Sequence, residues 1–262
     1  MLQKKYNYIL LWLYAVGIAL TIYLYLVDSE LYLLPIVLAE IIIIILRFCS
    51  MKQLNQIVTL LRNGEVQQFE KMKNIFIACP VNGPNVALYQ IIFTLYDYLR
   101  GNKEEALELM ESMYRKCEKR RAYAFKHYQK GFAMNVILFS LVQGDIEKAK
   151  SYEPSYQELN KKKLRGFIYG DTKTYDYFSE FIHKAILFED TRDEKLLEEM
   201  RMLLENEWTF YMRMYLMAFL ARCYERIDEV KAFELYEIIA DYGKELEIAE
   251  LAKAKVGKGN LV

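Results

Sequence analysis

The chain has 262 residues, 35 basic and 35 acidic, so its formal charge is zero, and the balance is even on both sides of residue 50. No basic face argues for nucleic acid, and 54% apolar content with only four prolines and eleven glycines suits long helices over short strands. Cys49, Cys79, Cys117 and Cys223 form no CxxC or CxxxC pair, which argues against a disulfide framework or zinc site.

Residues 8–27, "YILLWLYAVGIALTIYLYLV", carry no charge and at 1.5 Å per residue match the roughly 30 Å hydrocarbon core. Lys4 and Lys5 precede them as in a signal peptide, but the run is too long and no small-x-small cleavage site follows. After Asp28-Ser29-Glu30 a second apolar stretch covers 31–49, with Pro35 near its start. Two spans, about 8–27 and 31–49, then form a tight hairpin within residues 1–50. Lys4, Lys5, Arg47 and Lys52 flank its outer ends and its loop holds only acids, which predicts cytoplasmic termini. The lipid bilayer is the expected environment of this segment, in a bacterial-type cell membrane.

Glu40, in "LAEIIIIILR", is the one acidic group inside the second stretch. At the same depth the first stretch places Ile18, beside Gly17 and one turn from Tyr14. Glycine permits close helix approach and a tyrosine hydroxyl can hydrogen-bond a carboxyl group. Glu40, Tyr14 and Gly17 are therefore expected to form an intramembrane polar contact, with Glu40 facing protein and not lipid.

No glycine or proline occurs from 36 to 62, which predicts one continuous helix ending at Asn63-Gly64. Beyond it, in residues 51–262, helical segments alternate with turns near 64, 101, 144, 191 and 227. In "KEEALELMESMYRKC" the apolar stripe Ala106, Met110, Met113, Cys117 marks one buried face. "ALYQIIFTLYDYL" is apolar nearly all round, as an inner helix would be. Turns recurring at 36 to 47 residues indicate stacked helix pairs.

The residues that carry a resemblance are "LYDYLRGNKEEALELM", with Gly101 and Ala106, and "LFSLVQGDIEKAK", with Gly144 and Ala149. "ARCYERIDEVKAFELYEII" keeps Ala232 but has Ile227 at the turn. These segments resemble tetratricopeptide repeats. The helix-opening Trp and closing Pro of that family are missing. The resemblance implies an α-solenoid with a concave groove for peptides or partner proteins. With the hairpin read from the apolar stretches, the expected architecture is all-α, a two-helix transmembrane hairpin followed by a TPR-like α-solenoid. The last helix, in "KELEIAELAKAKV", would cap the array.

Chemistry is sparse. No GxxxxGK[ST], HExxH, EF-hand, GxSxG or strand-borne GxGxxG occurs. His127 and His183 read as polar-face residues of helices, and Cys79 in "CPVNGPN" lacks a nearby base. "WTFYMRMYLMAFL" (208–220) reads as core packing, with a soft Met-rich partner surface as the other option. The basic clusters at 116–121 and 161–165 are solvated loops or contacts to anionic lipid. The expectation is a non-enzymatic, cofactor-free scaffold held at a membrane, or else an accessory subunit of a membrane transporter or enzyme.

Overall fold

The computed structural model describes residues 2–27, 33–77, 85–120, 123–162 and 172–259. Among them the chain forms helices and no strand: α1 (Leu2–Leu26), α2 (Leu34–Arg62), α3 (Val66–Ile77), α4 (Asn85–Leu99), α5 (Lys103–Glu118), α6 (Tyr123–Gln143), α7 (Ile146–Lys161), α8 (Thr172–Thr191), α9 (Glu194–Leu203), α10 (Phe210–Tyr224), α11 (Glu229–Tyr242) and α12 (Glu247–Gly259). Two units result, Met1–Thr59 with Gln68–Asn82 and Leu60–Gln67 with Gly83–Val262.

In the first unit α2 runs unbroken through the interval free of glycine and proline. Large apolar side chains of α1 and α2 point outward: Trp12 is 71% exposed, and Ile18, Ile22, Leu38, Ile41 and Ile44 are exposed with it. Among the described side chains of residues 12–45 the buried positions are small, Gly17 and Ala39, whereas the far end of α2 buries Ile57, Val58 and Leu61. Among the described residues no helix is long and apolar enough to cross a membrane. The spans expected at 8–27 and 31–49 are thus not carried by what is described. The hairpin loop at 28–32 and the "CPVNGPN" connector lie largely outside the described residues.

The second unit is helical-repeat-like, each helix packed on its chain neighbours: α4 on α5, α6 on α7, α8 on α9, α10 on α11, α11 on α12. The turns fall at residues 64, 101, 144, 191 and 227. Gly101 and Gly144 sit at φ +105° and +88°, left-handed values that glycine adopts without a Cβ clash. Arg192 turns the α8–α9 corner at φ +59° with a side chain attached. Asp145, Asp193 and Asp228 cap α7, α9 and α11, each carboxylate accepting a backbone N–H. Ala106, Ala149 and Ala232 are buried where the second helix of each pair meets its neighbours.

The inner helices close on one another instead of lining an open groove. α6 packs against α4, α5, α7, α8 and α10. Its residues 132–141 are buried on every side. The Tyr98 and Phe139 rings stack at 3.5 Å, and Tyr215 lies 5.8 Å from Tyr98 and 5.3 Å from Phe139. Three aromatic rings from α4, α6 and α10 thus fill the space an open concave array would leave. The start of α12 also returns to early turns. Lys103 pairs with Glu247 at 2.7 Å, Lys244 donates to the Asn63 carbonyl at 3.0 Å, and Gly64 abuts Phe210 and Leu246. The stretch 208–220 is core as expected: α10 is buried around nearly its whole circumference, Arg213 being an exposed exception.

Candidate binding sites

The first unit brings together the three residues singled out at 14, 17 and 40. The Tyr14 hydroxyl donates to Glu40 Oε1 at 3.0 Å. One turn on, a Cβ built on Gly17 would lie 3.5 Å from the Ala39 Cβ and 3.6 Å from the Pro35 carbonyl oxygen, so the backbones cross closely there. The Thr21 hydroxyl donates to the Gly17 carbonyl at 2.8 Å. Glu40 makes its contact from an exposed position. The carboxylate is thus tethered to Tyr14 while its residue stays exposed.

In the second unit a largely apolar cleft of about 350 Å³ lies among the α5 start, the α6 end, α10, α11 and α12. Its floor is Val142, Ala218, Ile248, Leu251, Ala252 and Ala254. Lys103, Gln143, Arg222, Tyr236 and Lys255 supply its polar groups. Lys255 pairs with Glu225 at 2.6 Å, and the Tyr236 hydroxyl donates to the same carboxylate at 3.0 Å. Gln143 donates to the Tyr98 hydroxyl at 3.2 Å, tying the cleft wall to the aromatic core. Arg222 donates to the Val142 carbonyl at 3.0 Å. Sequence reading missed this cleft because its residues come from five helices and share no spacing.

A second opening lies among α9, α10 and α11, floored by Leu204, Met217, Leu235 and Ile238 and rimmed by Arg201, Arg213, Lys231, Glu205 and Glu234. Its rim mixes both charges.

The residues weighed for chemistry lie apart from these clefts. Lys130 is 1% exposed, with Nζ 3.6 Å from the centre of the Tyr175 ring. Burial pulls its pKa down to about 8, against the opposing pull of Asp176. His127 is half-buried, and burial plus the nearby Lys130 charge holds it down at about 4, so it stays neutral at pH 7. His183 faces Glu153 at 3.4 Å from an exposed position. Burial pushes the Cys117 thiol up to about 11 and Cys223 to about 12, which leaves both inert. The described ends of the basic clusters, Lys116 and Arg120 and then Lys161 and Lys162, are exposed. Among the described residues no group of His, Cys, Asp and Glu gathers into a metal-binding set.

No protein-family model matches the chain, and neither the curated proteins nor the solved structures yield a match.

Proposed function

We propose that the chain is a membrane-held adaptor: a helical hairpin in the bilayer carrying a degenerate tetratricopeptide-like domain that binds a partner protein on the cytoplasmic side. The observation that carries the membrane part is the inverted packing of α1 and α2. Their large apolar side chains face outward while glycine, alanine and a Tyr–Glu hydrogen bond occupy the crossing. In water such a pair would expose its apolar surface at roughly 25 cal/mol per Å². In lipid the same arrangement is favourable, because small residues and polar contacts drive helix association there. The uncharged sequence from 8 to 27 and the lysines outside the hairpin agree with this reading.

The adaptor part rests on the stacked helix pairs and their turn and small-residue signature, Gly101 with Ala106 and Gly144 with Ala149. Since the aromatic cluster of Tyr98, Phe139 and Tyr215 fills the inner face, the partner is captured on the outer helices and clefts. Tethering raises the effective concentration of both, so modest affinity suffices. Deleting residues 1–59 and repeating a crosslinked pull-down tests the division of labour. An adaptor keeps its main partner through the helical domain.

One observation favours a second reading, an accessory subunit of a membrane transporter or enzyme. Glu40 is exposed within an apolar belt, where a neighbouring transmembrane segment would cover it. In that case the deleted chain loses its partner.

A further inference from the structure

We infer that the cleft among α5, α6, α10, α11 and α12 binds a single aliphatic chain ending in a carboxylate. The floor is apolar, formed by Val142, Ala218, Ile248, Leu251, Ala252 and Ala254. The lining holds three cations, Lys103, Arg222 and Lys255, and no acidic residue. An apolar slot of this size with a few convergent polar groups is the usual form of a small-molecule site.

The local charges favour one anionic group at the wall. Lys103 is neutralised by Glu247 at 2.7 Å and Lys255 by Glu225 at 2.6 Å. Arg222 is different. Its ion-pair partner Glu189 lies 3.9 Å away and also pairs with Arg192 at 2.7 Å and Arg226 at 3.8 Å, so three guanidiniums share one carboxylate. The three together carry more positive charge than Glu189 offsets, and Arg222 is the one that lines the cleft. Its position is fixed by donation to the Val142 carbonyl at 3.0 Å and by the Phe219 ring at 5.5 Å. A fixed planar guanidinium presents paired N–H groups that match the two oxygens of a carboxylate. Gly144 makes room for this arginine, since a Cβ there would lie 2.7 Å from Arg222 Nη1. The inference stands whether or not the chain enters a bilayer.

The test uses the full-length chain in lipid nanodiscs with an octanoate probe carrying a photoreactive diazirine on its chain. Matched octylamine, octanol and octyl phosphate probes run alongside, and adducts are mapped by peptide mass spectrometry. The expected result is octanoate labelling on residues 248–255 and 218–222, suppressed at least fivefold by excess plain octanoate. Arg222→Gln should lower that labelling about tenfold with the helical circular dichroism kept. Because Arg222 also braces the α6 end, Leu251→Glu serves as a second variant: it puts an acid on the half-exposed floor and should reduce labelling similarly. Equal labelling by octylamine or octanol would overturn the carboxylate assignment, as would stronger labelling by octyl phosphate. Adducts confined to α1 and α2, meaning partition into the bilayer alone, would overturn the site itself. So would labelling unchanged in both variants.

Discussion

The two units solve opposite packing problems with one helical vocabulary. In the helical domain, bulk is inside: Tyr98, Phe139 and Tyr215 are fully buried, and charges such as Glu104 and Glu105 stay out. In the α1–α2 pair, bulk is outside and the crossing is made by Gly17, Ala39 and a hydrogen bond. The difference teaches that apolar content does not define a core. What defines it is where size sits, and size follows whichever surface loses most by contact with its solvent.

The sharpest way to break this contrast is to truncate bulk in each region. Phe139→Ala removes the stacked partner of Tyr98 and should cost about 3–5 kcal/mol in denaturant unfolding of the helical domain. Ile41→Ala, at an outward position, should leave the helix content and unfolding midpoint of the detergent-solubilised chain within error. Equal losses would remove the distinction.

Next in size is Lys130, a charge inside the domain core. Its folded pKa of about 8 lies below the ordinary lysine value of 10.5, so the folded state binds the proton less well than the unfolded state. Burying the charge therefore costs stability in full below pH 8, and the cost is relieved as pH rises from 8 to 10.5. Lys130→Met should stabilise the domain at pH 7 by up to roughly 3 kcal/mol, at 1.36 kcal/mol per pKa unit. The gap to the parent chain should close between pH 8 and 10.5 in melts across that range. A gap independent of pH would show that folding does not lower the Lys130 pKa.

The glycines divide in the same way. Gly144→Ala meets both a left-handed φ and the Arg222 guanidinium, and should destabilise by about 1–2 kcal/mol. Gly17→Ala meets only ordinary contact with Ala39 at 3.5 Å, so hairpin packing should survive it while Gly17→Leu forces the helices apart. Cysteine crosslinking between α1 and α2 reads this out. The smallest effect belongs to Glu40→Leu: a membrane hydrogen bond is worth on the order of 0.6 kcal/mol. The variant should weaken assembly in detergent slightly, and unchanged assembly and partner recovery would mean the carboxylate is merely tolerated.

Much of this was legible because local signals carried it. Gly64, Gly101, Gly144 and Asp228 mark turns in any context, and an apolar circumference marks α10 as internal before its neighbours are known. Tyr14, Gly17 and Glu40 could be aligned by depth alone, since antiparallel helices fix register. The closure of the array could not be read, because the meeting of Glu247 with Lys103 depends on angles summed over seven intervening helices. Lys130 gave no warning either: "FKHYQKGF" looks like a polar helix start, and the Tyr175 ring that covers its ammonium comes from a helix distant in sequence. Arg192 takes a left-handed turn with no glycine to announce it.

The central claim is that the outward face of α1 and α2 meets lipid, with the helical domain on the cytoplasmic side. Two single-cysteine chains test it directly in intact cells, with the four native cysteines replaced by alanine. One carries Ser29→Cys between the two helices, the other Lys195→Cys on the exposed start of α9. A maleimide that cannot cross membranes should label Ser29→Cys from outside and reach Lys195→Cys only after permeabilisation. Labelling of Lys195→Cys in intact cells, or release of the chain from membranes by alkaline carbonate, would contradict the account.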